Sequence, residues 1–553
     1  MSKYLYGFSK IPLNLKLRDS VQHRLNYFKS INDNKPAFIF QDRKFLFINS
    51  PSPNFDSTDL ARVSIYPPGL KNNILRLLLI SEKEEYISVS SDFIGDRTVW
   101  YYLDENWFLV SNSQFYIIRI IQSYHPNKRV WSWMLANGNL NNGESWDNRI
   151  NAVAPEGSIH LSKQLWKVET KRKIWKFEYE TSERNVVLQK MKEKLMYVAS
   201  QYSLDTDKTT LNLSGGYDSR AVLFLLKGNH PGLKTSTWGI SESFDKKGSD
   251  AYVARQVSAS WGTKHSEFFF NQEQDFERIL NKFLLFGEGR NDHLNSFMDG
   301  LKMWETLKNR GYEYVIRADE ACGWLAVRTE LDARLSVAMG QLSDFRNIPG
   351  VVAADYKIDK PYENFYRYNN EPIEDYRDRL YQIFRLPFVI GPLQDIPLNF
   401  AETINPLLHP DIVHFFRTLP PEFRTNKNLY AEWVQKLLPD IPFASRMSIP
   451  APQKILASLK NKSFVESFLN DNSSSQLLGQ SLMNYLKENY KMNVDSKEHL
   501  QNPLTIRFRK MVPTSIKKLI RNKITGYNLP AASLLLRAII IFKMQKLLNE
   551  ISK

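Results

Sequence analysis

The residues with the clearest chemical content are Ser214-Gly215-Gly216-Tyr217-Asp218-Ser219. They lie between a short β-prone run at 209–213 and an apolar run at 221–226 that lacks Gly and Pro. That order reads as strand, tight loop, helix. Two adjacent glycines let the backbone approach an anion with no Cβ in the way. Ser214 and Ser219 add hydroxyl donors. The helix start adds free N–H groups and the positive end of its dipole. Asp218 would repel a bare phosphate, so its presence calls for a metal ion between it and the phosphate oxygens. The stretch therefore reads as a pyrophosphate cradle with a Mg²⁺ ligand built in. A lone Gly-Gly is an ordinary turn; the whole string, placed after a strand, is far more specific.

The elements that must position this loop follow a regular order. A helix is expected at 186–198, then the strand, cradle and helix. A second strand is expected at 235–240 and a helix at 249–261, where Val253, Val257 and Trp261 recur at four-residue spacing. A third strand is expected at 265–269. This alternation predicts a parallel sheet with helices on both faces. Ligands bind such sheets beyond the strand C-termini, which is where 214–219 fall. By the same geometry Ser236, Trp238 and Gly239 should border a nucleotide. Before about residue 180 the pattern is mostly β: a hairpin at 37–40 and 45–48, then strands at 86–89, 100–102, 108–110 and 158–161. Helical character appears there at 113–124 and 129–135. Helices dominate after about 275. Leu534, Leu535, Ala538, Ile541 and Phe542 fall at the spacing of a packed C-terminal helix. Asp471–Ser475 reads as a polar surface loop.

Composition sets the outer limits. At 553 residues, with 42% hydrophobic and 24% charged residues, the chain is globular and long enough for two to four domains. Its single cysteine, Cys322, excludes an internal disulfide and a multi-cysteine zinc site. His265 reads as a packed residue at a strand start, and the nine histidines show no metal-ligand spacing. No run of about 18 uncharged apolar residues suggests a membrane span, and the N-terminus lacks a signal-peptide core; the expected location is cytoplasmic. The net charge of +15 fits an anionic partner. The densest basic stretch runs from Arg507 to Lys523. A solvated surface is its ordinary reading; a peripheral membrane or carrier-protein contact is the sharper one.

The chain resembles the asparagine synthetase-type family, in the wider group that includes β-lactam synthetases and lasso-peptide cyclases. Four segments carry the resemblance: Ser214–Ser219; Ser249-Asp250-Ala251-Tyr252 through Gly262-Thr263-Lys264-His265-Ser266-Glu267; Ala318-Asp319-Glu320 with Gly323; and Asn405-Pro406-Leu407-Leu408 with Leu419-Pro420 and Lys427. In the first half, Asp92-Phe93-Ile94-Gly95-Asp96-Arg97 with Tyr101-Tyr102 is similar to the signature of the family's glutaminase-type domain, and Pro155-Glu156-Gly157 to its closing turn. The resemblance implies an α/β chain in three parts. Residues 1–180 form a degenerate glutaminase-like αββα domain, 181–460 an ATP-pyrophosphatase synthetase domain, and 461–553 a basic helical extension.

It further implies ATP and Mg²⁺ as cofactors, with Asp218 and Asp319 as metal ligands and Ser214, Gly215, Gly216 and Ser219 holding pyrophosphate. The implied reaction adenylates a small-molecule or peptide carboxylate and passes the acyl group to ammonia or an amine, with release of AMP. Three departures shape the expectation. Glutamine-dependent members carry a cysteine after the initiator methionine; Ser2 stands here, so no glutaminase activity is expected. Tyr314-Val315-Ile316-Arg317 replaces Ser-Gly-Glu-Gly before Asp319, which implies a different acceptor or amine. Arg446 and, more weakly, Lys454 stand where a lysine sits near the adenylate; Arg446 would stabilise the developing charge. Glu320 would brace the site or orient the amine. Arg290, Asp292 and His293 would line the acceptor site or form an exposed loop, the latter being the more ordinary reading. Alternatives are a lasso-peptide-type or β-lactam-type cyclase and a catalytically silent nucleotide-binding scaffold. A tRNA-modifying enzyme of the same fold fits the first half poorly, so no specific nucleic acid is expected as a partner. A homodimer is compatible.

Overall fold

The structure, a computed structural model, describes residues 3–29, 36–49, 59–70, 77–140, 143–180, 182–270, 275–339, 348, 365–438, 440–449, 456, 461–490 and 529–553. Ser2, Lys454 and the basic run 507–523 lie outside the described residues.

The first half forms two antiparallel sheets. One runs β2(Ala37–Gln41), β3(Lys44–Asn49), β1(Lys3–Ser9), β8(Trp107–Ser111), β7(Trp100–Leu103), β9(Asn151–Ala152). The other runs β11(Lys167–Lys171), β10(Ser158–Ser162), β6(Tyr86–Ser91), β5(Leu78–Glu82), β4(Arg62–Ile65). Strand alternation sorts their side chains. Tyr4, Tyr6 and Phe8 of β1 share a core with Ile80, Val89 and Leu161 of the second sheet, while Leu5 joins the largest core.

That largest core also takes in the helices Gln114–Ile121, Lys128–Asn137, Phe276–Gly287 and Ala531–Ile551. The last is apolar on every side, and such a helix is buried: Leu534, Ile539, Ile541 and Met544 are fully covered. Its Arg537 donates to Asp292 at 2.7 Å and to the Leu135 carbonyl at 2.9 Å. Among the described residues no helix is long and apolar enough to cross a membrane.

The central sheet is parallel throughout, in the order β14(His265–Phe270), β13(Lys234–Ile240), β12(Thr209–Asn212), β15(Tyr314–Ile316), β16(Glu402–Ile404). Leu211, Leu213, Val222, Val253, Ile316 and Ile404 build its core with helices Arg184–Ser200, Tyr217–Lys227 and Asp250–Ser260. The strand order turns between β12 and β15, so the crevice beyond their C-termini is a topological switch point.

One joint between the first half and this sheet is built on Asp92. Asp92 accepts backbone N–H groups of Ile94, Asp96 and Arg97 at 2.8, 3.1 and 3.2 Å, and of Gly95. Burial, with the neighbouring Asp96, pushes the Asp92 carboxyl up to about 7. The turn so formed aims Arg97 at Glu402 of β16, 3.1 Å away.

Two expectations are corrected. Residues 471–475 are not a loop: Asn472–Leu478 is a helix, capped by Asp471 accepting from the Ser473 N–H at 2.9 Å, with Ser474 buried. A polar run beginning with Asp is as much a helix start as a loop. Nor does Arg290 belong to an exposed loop. It is 2% exposed, pairs with Asp395 at 2.7 Å and lies over the Trp100 ring.

Candidate active site

The cradle is held by its own hydroxyls. Ser214 and Ser219 share a 2.8 Å hydrogen bond between their Oγ atoms, and Ser219 Oγ also accepts from the Ser214 N–H at 3.0 Å. Gly216 N–H donates to Ser214 Oγ at 3.2 Å, and Gly215 N–H to Asp250 at 2.8 Å. Gly215 is required by close approach: a Cβ there would meet those of Ala444 and Val253 at 2.7 and 2.9 Å. Above Gly216 the nearest atom to such a Cβ would be Ser214 Oγ at 3.3 Å, which leaves the loop open on its ligand side.

Asp218, in the first turn of helix Tyr217–Lys227, faces Lys427, whose Nζ lies 3.1 and 2.9 Å from its two oxygens. The same Nζ lies 2.7 Å from Glu320. Burial raises the Asp218 carboxyl and Lys427 pulls it back. Burial opposes the Lys427 charge, but Glu320 and Asp218 outweigh it, and its ammonium is held above the ordinary lysine range. Glu320 is 3% exposed and also accepts from the Cys322 N–H. It thus stands behind Lys427. Local strain builds this arrangement: Lys427 itself has φ +57°, and Gly323 has φ +118° with the Arg424 carbonyl 2.0 Å from where its Cβ would be. Only glycine lets the segment after Glu320 pass that close to the segment before Lys427.

Asp319 is held differently. Arg317 reaches it with Nε at 2.8 Å and Nη2 at 3.3 Å. Burial opposes the guanidinium charge, and Asp319 more than compensates.

Two cavities open at this crevice, and both are lined by Trp238, Asn212, Ser214 and Ser296. One, about 430 Å³, is bordered by Gly216, Thr237, Asp250, Arg446 and Ser448. The other, about 270 Å³, is lined by the polar Asp218, Ser219, Arg317 and Asp319 and by the apolar Phe297, Trp304, Leu393 and Pro397.

The structure therefore brings together Ser214, Gly216, Asp218, Ser219, Trp238 and Asp319 around the two cavities, with Arg446 at the exposed edge of the larger one. Gly215 is packed behind the loop. Ser236 is not at the surface of either cavity; it is buried, bonded to Thr210 and Asn212. Gly239 lies under Ser448, whose Cβ is 2.7 Å from where a glycine Cβ would be. Arg290 and Asp292 are engaged elsewhere, with Asp395 and Arg537. His265 packs at its strand start against Thr235 at 2.8 Å, and burial lowers it to about 4. The site also recruits residues that carry no motif: Asn212, Thr237, Ser296, Phe297, Trp304, Leu393 and Pro397. Trp304 alone had a local signal, an aromatic on a strongly amphipathic helix, Lys302–Asn309.

No curated protein matches the chain. The family model of asparagine synthase matches residues 198–296, a stretch that contains β12, the cradle, β13, Asp250 and β14 and ends at Ser296 on the cavity wall. Over these residues the chain is asparagine synthetase-like, and that family is one of ATP-utilising, amide-forming ligases.

Proposed function

We propose that this protein is an AMP-forming amide ligase. It adenylates a substrate carboxylate with ATP and transfers the acyl group to ammonia or a substrate amine, without glutaminase activity of its own. The observation that carries this reading is the crevice at the β12–β15 switch point. There the Ser214–Ser219 loop meets two cavities that share Trp238, and Asp218 and Asp319 line one of them.

In this reading the larger cavity takes the nucleoside and the loop takes the β- and γ-phosphates. Lys427, fixed by Glu320, offsets pyrophosphate charge as it leaves. Asp218 and Asp319 are hard oxygen donors on one cavity, suited to Mg²⁺. Among the described residues no group of three or more His, Cys, Asp or Glu forms a closed cage. Two carboxylates completed by phosphate oxygens are the usual way Mg²⁺ is held. When bound, Mg²⁺ supplies charge neutralisation between carboxylates and phosphates. A substrate carboxylate oxygen attacks the α-phosphorus and the bond to the pyrophosphate oxygen breaks. Arg446, at the open edge, is placed to meet charge on the α-phosphate. An amine then attacks the acyl carbon, AMP leaves, and the amine proton is lost. Residues 1–180 contain no cysteine, which supports free ammonia or a substrate amine as donor.

Carboxylate-dependent ATP–pyrophosphate exchange tests the proposal. Exchange with at least one acid is expected. One observation favours a second reading: the Arg317–Asp319 pair occupies a metal ligand. A nucleotide-binding scaffold would bind ATP and give no exchange with any acid.

A further inference from the structure

We infer that the 270 Å³ cavity is an acceptor subsite for a monocarboxylic acid with an aromatic or aliphatic body, and that Arg317 is the residue that holds its carboxylate. The inference rests on the ligase reading for its chemistry but on the cavity itself for its selectivity.

The lining is of two kinds. Phe297 and Trp304 are 6% and 5% exposed, and with Trp238, Leu393 and Pro397 they are its apolar part. Its polar part is Asn212, Ser214, Asp218, Ser219, Ser296, Arg317 and Asp319. Among its described lining residues Arg317 is the sole cation. Its fork is half used: Nε and Nη2 take Asp319, and Nη1 makes no hydrogen bond among the described residues. A guanidinium presents five N–H donors on more than one edge. The remaining edge can receive a second carboxylate while the first stays in place, and charge-assisted contacts of that kind are the strong ones. An acid so held lies beside the pyrophosphate loop, with its body against the aromatic wall.

Size and charge narrow the class. A cavity of about 150 Å³ holds benzene; this one, about 270 Å³, has room for a phenyl group and a short chain. A diacid, aspartate included, would bring a second carboxylate into a cavity that already carries Asp218 and Asp319. Burying a charge without a partner is costly, and no second cation lines the described wall. The replacement of a glycine by Arg317 and of a carboxylate by Ile316, which lies buried behind it, thereby becomes a change of substrate and not a loss of site.

The test uses the full chain and two readouts. The first is ATP–pyrophosphate exchange with phenylacetate, hexanoate, aspartate, succinate and glucuronate. The second is calorimetric binding of phenylacetate in the presence of a non-hydrolysable ATP analogue, which does not depend on turnover. Phenylacetate and hexanoate should support exchange at least tenfold better than the other three. Arg317→Met should weaken phenylacetate binding about a hundredfold while ATP-analogue binding persists, and Arg317→Lys should recover part of it. Leu393→Asp, at a half-buried wall position, should abolish phenylacetate binding with ATP-analogue binding again serving as the folding control. Preference for aspartate, succinate or glucuronate overturns the inference and leaves the ligase reading intact. Arg317-dependent phenylacetate binding without exchange supports the inference and overturns the ligase reading. No phenylacetate binding, or binding indifferent to Arg317→Met, overturns the inference.

Discussion

The two cavities of the crevice share Trp238 but are built in different ways. On the nucleotide side the anion-facing surface is mainly backbone: a loop six residues long, braced by its own serines and by Asp250. On the acceptor side the loop's Ser214, Asp218 and Ser219 are joined by side chains from the scattered positions 238, 296, 297, 304, 317–319, 393 and 397. A backbone cradle tolerates little change because each atom is in the loop for geometric reasons. A side-chain wall can be rebuilt one residue at a time. The first half therefore keeps the chemistry and the second sets what is done with it.

The comparison breaks most sharply at Asp218. Asp218→Ala should lower exchange by about a thousandfold or more, because the charge that positions metal and phosphate is lost. Asp218 also lines the acceptor cavity, where its loss removes a charge of the same sign as the acid, so calorimetric phenylacetate binding should hold or tighten. Equal losses on both sides would mean that the halves are not separable.

Lys427 comes next, because it carries stability as well as charge. Lys427→Ala leaves buried Glu320 and half-buried Asp218 unpaired; breaking a fully buried pair costs about 3–5 kcal/mol, and the exposure of Asp218 puts the expected loss at or below the lower end. Denaturant unfolding should show the loss. Adding Glu320→Gln should restore part of it by removing one of the two charges.

The halves should also differ with pH. The Asp218 carboxyl is raised by burial above its ordinary 3.8. A raised folded-state value favours the protonated native form, so its contribution to stability is full below the ordinary value and is lost as pH rises through the raised one. Nucleotide and metal need the ionised form, so ATP affinity climbs over the same interval. Thermal melting without ligand should thus fall, and the ATP-induced gain in melting temperature should grow, as pH increases from 3.8 upward. Arg317 does not titrate in this range. Phenylacetate affinity should stay flat from about pH 6 to 9, where its own carboxylate is ionised.

What could be seen in the sequence follows the same divide. The cradle was legible because its residues are contiguous and dictate a backbone shape; β12, β13 and β14 were legible because strand and helix alternate at short range. Asp319-Glu320 came from the resemblance, through Ala318-Asp319-Glu320 with Gly323. The acceptor wall was not legible, since Phe297, Trp304 and Leu393 look like any core residues until the fold brings them to Trp238. Arg290 was misread for the same reason: its partner Asp395 lies 105 residues away. Ser236 and Gly239 sit at the right strand end, but alternation turns Ser236 inward, and Ser448 covers Gly239. No local pattern announces a strand-like segment two hundred residues later.

Gly215→Ala probes the cradle more gently. The added Cβ would press on Ala444 and Val253, and overpacking of this kind costs about 1–3 kcal/mol. Exchange should fall while selectivity among acids is unchanged, because the contact lies on the nucleotide side alone.

The smallest effect is expected at the shared wall. Trp238→Phe keeps an apolar ring but gives up part of a wall that both cavities share. Losing part of such a contact is worth about 1 kcal/mol, or several-fold in affinity. The KM values for ATP and for phenylacetate should therefore rise together by similar factors, with little change in kcat. A double-mutant cycle with Arg317→Lys should be non-additive for phenylacetate, since both residues touch the same molecule, and additive for ATP. Non-additivity for both ligands would mean that Trp238 transmits strain between the halves and is not merely a wall they share.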